Sequence, residues 1–390
     1  MTLLEIISKA SNTQKPQTPN STHPIIFNSE PIFSTLQPSS SEQLNNTSSL
    51  IKPIQGWKVT QTDEETIKKT TLFCKKLKRK LKNTTSFTKD EFLDLFTSFL
   101  EKNRKSVSLN DTKLLVRKMG FFISPDISSL VIEGCFVFED WGLLEILISE
   151  GVVGRNVSVS GDLIERLIEK KRTDLLCVCV KHFKGIQGFG IRSLLKYFIS
   201  PPKGAGVAMG NVRKEWEREA LLAIEKASDE SLAGEKLSLA KQASILLMVA
   251  YDEFTSAELC LHYLFASSEV DELTLSYALS GLDGSDMLKL IRYFGKWVRK
   301  YKKFTQAGPC PSAASVLGLG LCDWVPSLEA VVKYLGLVLD EQFSSLVLYA
   351  EFHDELRSLQ EDVDSLALET RFCCSLVGVV ENLKLEIGLH

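Results

Sequence analysis

From residue 88 to the C-terminus, apolar side chains recur at spacings of three and four, with almost no sustained alternation of period two. Such spacing lines one face of a helix, where about 3.6 residues complete a turn, so the chain reads as helix after helix. The pattern predicts helices over 62–81, 92–100, 111–119, 125–132, 138–149, 162–182, 191–199, 212–226, 232–251, 256–266 and 269–282. Thr88 and Glu91 make a capping box ahead of FLDLFTSFL: the hydroxyl takes an orphan N–H and the carboxylate reaches back. No strict repeat of the lengths used by named repeat families emerges, so the pattern implies an all-α, irregular α-solenoid or helical bundle.

The most organised stretch is 283–349. On a helical wheel Tyr293, Phe294, Trp297, Tyr301 and Phe304 share about a third of the circumference, a face expected in the core. Arg292, Lys296, Arg299, Lys300, Lys302 and Lys303 take the opposite half and are expected to be exposed, with no acidic residue between Lys289 and Cys322. That stripe reads either as a solvated face or as a contact for RNA phosphate or an acidic partner. A Gly/Pro break follows, and Pro326 then opens a second apolar helix through Val347. A last helix is expected over 354–387, where Leu356, Leu359, Val363, Leu366, Cys373, Val377 and Val380 resemble a coiled-coil seam widened by Phe372 and Leu376.

Outside the periodic regions, residues 11–56 are rich in Ser, Thr, Asn, Gln and Pro, and no period links their apolar side chains. Such a segment cannot bury enough surface to offset its backbone entropy, so 1–60 is expected to be a disordered tail. A Gly/Pro-rich loop over 201–211 is expected to divide an N-terminal helical unit, 61–200, from a C-terminal one, 212–390. At the start of the first unit lies KKLKRKLK, with Lys75, Lys76, Lys78, Arg79, Lys80 and Lys82. This run reads as a nuclear-import or RNA-contact segment, or as the solvated face of a helix whose Leu72, Phe73, Leu77 and Leu81 point inward.

Composition adds limits. The net charge of −3 argues against coating nucleic acid by overall charge and leaves local patches as the relevant quantity. The acidic residues concentrate late: eleven fall between Asp340 and the C-terminus against Arg357, Arg371 and Lys384, so the last helix could pair with the basic one. The N-terminus lacks the layout of a secretory signal, and the longest apolar run, 245–251, is far too short to span a bilayer. An intracellular chain without a membrane partner is expected.

Little suggests chemistry. The nine cysteines sit mostly among Leu, Val and Phe and read as buried free thiols. Cys177, Cys179 and His182 diverge on a helix, and no second pair completes a zinc set. His262, between Leu261 and Tyr263, reads as a hydrogen-bonded core histidine. The glycines after Pro202 follow no strand and precede no GK[ST], so both nucleotide fingerprints fail. No catalytic residue, metal site, cofactor or small-molecule substrate is expected.

The stretches LKLIRYFGKWVRKY, 288–301, and PSLEAVVKYLGLVLDEQFSSLVL, 326–348, resemble the C-terminal helical domain of the nucleolar protein 11 family. Tyr334 stands where the family pattern has tryptophan, and Glu341-Gln342 replace its small-residue and histidine pair. The family carries a β-propeller ahead of this domain, which is not expected in the residues before 61. The resemblance implies a non-enzymatic scaffold of the small-subunit processome in the nucleolus, partnered by other t-UTP proteins and supporting pre-rRNA transcription and processing. Direct RNA contact stays open, and the alternative is a helical adaptor for complex assembly outside the nucleolus.

Overall fold

A computed structural model describes residues 61–83, 86–102, 112–120, 123–153, 157–229 and 231–387. The expected disordered tail, 1–60, lies outside these residues. Among the described residues every regular element is helical and no strand occurs.

The first half comprises α1 (Gln61–Leu81), α2 (Lys89–Lys102), α3 (Thr112–Met119), α4 (Pro125–Val137), α5 (Trp141–Ser149), α6 (Val157–Glu169), α7 (Thr173–His182) and α8 (Gly188–Ile199). Most of these helices pack on sequence neighbours or next-but-one neighbours, α5 on α3 and α7 and α6 on α7 and α8, while α1 reaches across to α4. That is the stacking of an irregular solenoid. Phe73 of α1 stacks on Phe99 of α2 with ring centroids 4.2 Å apart, and Phe87, Phe92 and Phe138 form a second aromatic cluster. Gly134 of α4 lies directly beneath the Phe92 ring, which a methyl group there would meet at 2.4 Å.

The single helix expected over 162–182 is two helices. Lys171 adopts φ +55°, while Lys171 and Arg172 donate back to the carbonyls of Ile168 and Leu167. This is a glycine-type helix stop made by a lysine. Glu139 at φ +50° ends α4 in the same way, with Asp140 donating to Cys135.

The second half begins with α9 (Gly206–Ala227), so the loop expected over 201–211 is shorter than predicted. Met209, Val212 and Trp216 are all buried along this helix, and their packing holds the glycine-containing first turns helical. There follow α10 (Glu235–Tyr251), α11 (Ser256–Ala266), α12 (Glu272–Leu279), α13 (Gly284–Lys303), α14 (Ala313–Leu317), a 3-10 turn (Gly320–Trp324), α15 (Leu328–Glu341), α16 (Phe343–Leu348) and α17 (His353–Ile387).

The loop does not separate two packed bodies. Before it, α8 packs on α11, α12 and α13 beyond it, and the helices from Gln61 onward form one compact unit. Arg192 of α8 donates to the Tyr277 carbonyl at 2.7 Å, and Ser200 donates to Asp286 of α13 at 2.5 Å. Lys289 adds a 2.5 Å bond to the same Ser200 hydroxyl and a 3.3 Å ion pair to Asp286.

Candidate functional site

At the centre of the second half is α13. Its first turn is capped by Asp283, whose carboxylate accepts the Asp286 N–H at 2.9 Å. Of the aromatic face read from the sequence, Tyr293, Phe294, Trp297 and Tyr301 are buried. Phe304 is not: it falls at the helix C-cap, 36% exposed, with the Lys303 ammonium 5.3 Å from its ring. The helix ends one residue too early to turn that side chain inward. Tyr301 donates to the Pro326 carbonyl at 2.5 Å, which ties α13 to the entry of α15. The two stretches that carry the family resemblance therefore pack on each other. Tyr334, at the position where the family pattern has tryptophan, keeps its ring against Phe265 and bonds the Val270 carbonyl at 3.3 Å.

His262 is fully buried in this cluster, edge-on to Phe254 at 4.6 Å and near Trp297 at 4.9 Å. Its Nε2 lies 3.0 Å from the Ala250 carbonyl and its Nδ1 lies 2.9 Å from the Tyr293 hydroxyl. A carbonyl only accepts, so the Nε2 carries the proton and the Nδ1 accepts from Tyr293. Both ring nitrogens are satisfied with the ring neutral. Burial pushes its pKa down to about 3, and the nearby Lys300 acts in the same direction. A base locked in this way, with no exit to solvent, is a structural bolt rather than a proton shuttle.

The opposite face of α13 is the expected exposed cationic stripe only in part: Arg292, Arg299 and Lys303 are exposed, Lys296 and Lys302 are half-buried, and Lys300 is buried. Lys296 reaches both Glu258 oxygens at 2.8 and 2.9 Å, and Glu258 also closes the capping box of α11 with Thr255. Lys300 is only 5% exposed and lies between Asp252 at 3.3 Å and Glu253 at 3.5 Å. Arg292 pairs with Glu355 at 3.1 Å. Arg299 and Lys302 share Asp362, at 3.7 and 3.1 Å. Only Lys303 of the six lacks a carboxylate partner among the described residues. The acidic helix α17, the loop before α11 and Glu258 in the first turn of α11 therefore engage five of the six charges that were expected to meet RNA or a partner protein.

The other basic run behaves differently. On α1, Phe73, Leu77 and Leu81 are buried, but Leu72, expected to point inward, is 67% exposed because its place one residue before Phe73 turns it about 100° off the packed line, and Lys75, Lys76, Lys78, Arg79 and Lys82 are exposed as well. None of these five has a carboxylate partner among the described residues, and they span about half the helix circumference. Lys80 alone turns aside, pairing with Glu91 at 3.2 Å and lying 4.6 Å from the Phe87 ring. The basic residues of the last turn also sit where the helix dipole favours cations. Beside them a shallow recess of about 220 Å³ opens between α1 and α2, floored by Leu72, Phe73, Leu95 and Phe99 and rimmed by Lys69 and Lys76.

Among the described residues nothing else gathers reactive groups. Cys135, Cys177, Cys179, Cys260, Cys310 and Cys322 are buried. Burial pushes the Cys322 thiol up to about 12 in a recess of about 200 Å³ shared with Tyr301 and Cys310, which keeps it protonated and unreactive at neutral pH. Among the described residues no three His, Cys, Asp or Glu side chains converge as metal ligands, and no helix is long and apolar enough to cross a membrane. No family model matches the chain, and no curated protein matches it significantly.

The periodicity reading missed the burial of Lys300 and the second duty of Glu258. The latter had a signal: Thr255 followed three residues later by Glu258 is a capping box, which fixes that carboxylate at the start of α11.

Proposed function

We propose that this chain is a non-enzymatic helical scaffold of nucleolar ribosome biogenesis. It works beside other processome proteins of the t-UTP group and touches pre-rRNA, or the nuclear import machinery, through α1. The observation that carries the reading is the contrast between the two basic runs: five of the six cations of α13 pair with internal carboxylates, while five of the six at 75–82 have no carboxylate partner among the described residues. An unpaired row of cations is what phosphate binding requires, since each contact releases a condensed counterion. The nucleolar assignment rests on the resemblance of 288–301 and 326–348, and the scaffold role on the scarcity of reactive groups.

The test is the triple reversal Lys75→Glu, Lys76→Glu and Arg79→Glu in the full chain, with Arg292→Glu as a control. The α1 variant is expected to lose pre-rRNA binding, with the slope of log affinity against log salt falling by roughly 2–3. Loss of nuclear accumulation with RNA binding intact would assign α1 to import. RNA binding and localisation both unchanged would overturn the role of α1, and proximity labelling devoid of nucleolar factors would overturn the nucleolar assignment.

The exposed apolar side chains on α16, Phe343, Val347 and Leu348, favour a second reading as a helical adaptor outside the nucleolus. A fluorescent fusion confined to the cytoplasm would select it.

A further inference from the structure

The recess between α1 and α2 is lined in a regular way. From α1 it takes Lys69, Leu72, Phe73 and Lys76, positions i, i+3, i+4 and i+7 of one helix, and from α2 it takes Leu95, Ser98 and Phe99. Phe73 and Phe99 stack on each other and are buried, Leu95 is half-buried, and Leu72 stays exposed. An exposed leucine beside an apolar floor leaves surface that further burial would stabilise. None of the lining residues is acidic. The ion pairs made by α1 are Lys68 with Glu64 and Lys80 with Glu91, and neither Lys69 nor Lys76 has a carboxylate partner among the described residues.

We infer that this recess docks an acidic amphipathic helix of a partner protein. The helix inserts two adjacent apolar side chains and sets a carboxylate one turn to either side of them, against Lys69 and Lys76. Charge and spacing select this occupant: the two lysines stand two turns apart, about 10 Å, with Leu72 and Phe73 midway between them. The complementary pattern is therefore acidic-x-x-apolar-apolar-x-x-acidic, laid helix-in-groove. The lining argues against a nucleobase. Ser98 is its single neutral polar side chain, so a base would bury its N–H and carbonyl edges with too few partners, whereas leucine or phenylalanine leaves nothing unpaired. At about 220 Å³ the recess is also smaller than the roughly 300–1,000 Å³ of a small-molecule pocket. At about 100° per residue, Lys69, Leu72 and Lys76 share about 60° of the helix, and Lys75, Lys78 and Lys82 lie roughly 60–120° the other way from Leu72. A docked helix leaves those three open to phosphate, so docking is independent of the RNA contact proposed for α1.

Fluorescence anisotropy of the full chain tests this, with a labelled alanine-based helical peptide of about sixteen residues built around the core Glu-Ala-Ala-Leu-Phe-Ala-Ala-Glu. The wild type is expected to bind it with a Kd of about 10–100 μM, and to bind the same peptide with lysines for the two glutamates at least about tenfold more weakly. Lys69→Glu together with Lys76→Glu should invert that preference. Leu72→Gln should weaken the Glu-flanked peptide by at least about threefold with helical circular dichroism unchanged, because Leu72 is exposed in the free chain. No binding of the Glu-flanked peptide at about 1 mM, equal binding of the two peptides, or a preference that survives the double reversal would overturn the proposal. Binding indifferent to Leu72→Gln would place the peptide elsewhere on α1 and overturn the recess as its site. A single-stranded uridine oligonucleotide whose binding falls with Leu72→Gln, when that of the peptide does not, would give the recess to RNA instead.

Discussion

Acid should loosen this protein through His262. Unfolded, the imidazole takes up a proton near its ordinary value of 6.5; folded, it stays neutral down to about 3, because burial outweighs the bond to the Ala250 carbonyl and Lys300 nearby also opposes a positive ring. Between those limits unfolding binds one extra proton, so stability falls by about 1.4 kcal/mol for each pH unit below 6.5. The contribution is complete above pH 6.5 and is lost as the pH drops toward 3. From pH 6.5 to 5.0 the loss amounts to about 2 kcal/mol, a large share of the roughly 5–15 kcal/mol that holds a typical domain. Carboxylates elsewhere titrate too, so the measurement is differential. Urea unfolding, followed by circular dichroism at several pH values, is compared for the wild type and for His262→Gln, whose amide cannot titrate. The variant starts weaker at neutral pH, but the gap should narrow by about 2 kcal/mol on reaching pH 5.0. Parallel pH curves for the two proteins would refute the reasoning, since they would mean that no proton enters at this position on unfolding.

Two further outcomes follow from packing and charge. Gly134→Ala should destabilise by about 1–3 kcal/mol, read as a lower urea midpoint at unchanged slope, because the new methyl group meets the fully buried Phe92 ring at 2.4 Å. Asp362→Asn frees Arg299 and Lys302 together, yet those cations are partly solvated, so its cost should stay near or below about 1 kcal/mol and shrink further in high salt. A cost above about 3 kcal/mol would show that α17 is held to α13 far more tightly than half-exposed ion pairs allow.

Spacing made the fold class legible, because helices bury one stripe and the stripe recurs wherever the chain is packed. Tyr293, Trp297 and His262 could be placed in the core by their apolar neighbours alone. Helix ends were harder. Lys171 and Glu139 occupy left-handed positions normally marked by glycine, so the sequence carried no punctuation there and 162–182 read as continuous. The charged surface was the least legible of all. A helical wheel says which way Lys300 points, and only the fold says that Asp252, Glu253 and the ring of Phe254 are waiting there. The same wheel treated the runs at 75–82 and 292–303 alike, although the carboxylates that distinguish them lie up to about sixty residues away on α17.

The junction between α8 and α13 bears on how the chain is made. Ribosomes release residues at about 5–20 per second, and Arg192 must wait for Tyr277, 85 residues later, before its bond can form. For roughly 4–17 s of synthesis, the face of α8 that later meets α11, α12 and α13 has no cover. That interval is when a nascent chain most needs a chaperone. A premature stop shortly after residue 200 would make it permanent, leaving a fragment with helices in place and an open apolar face.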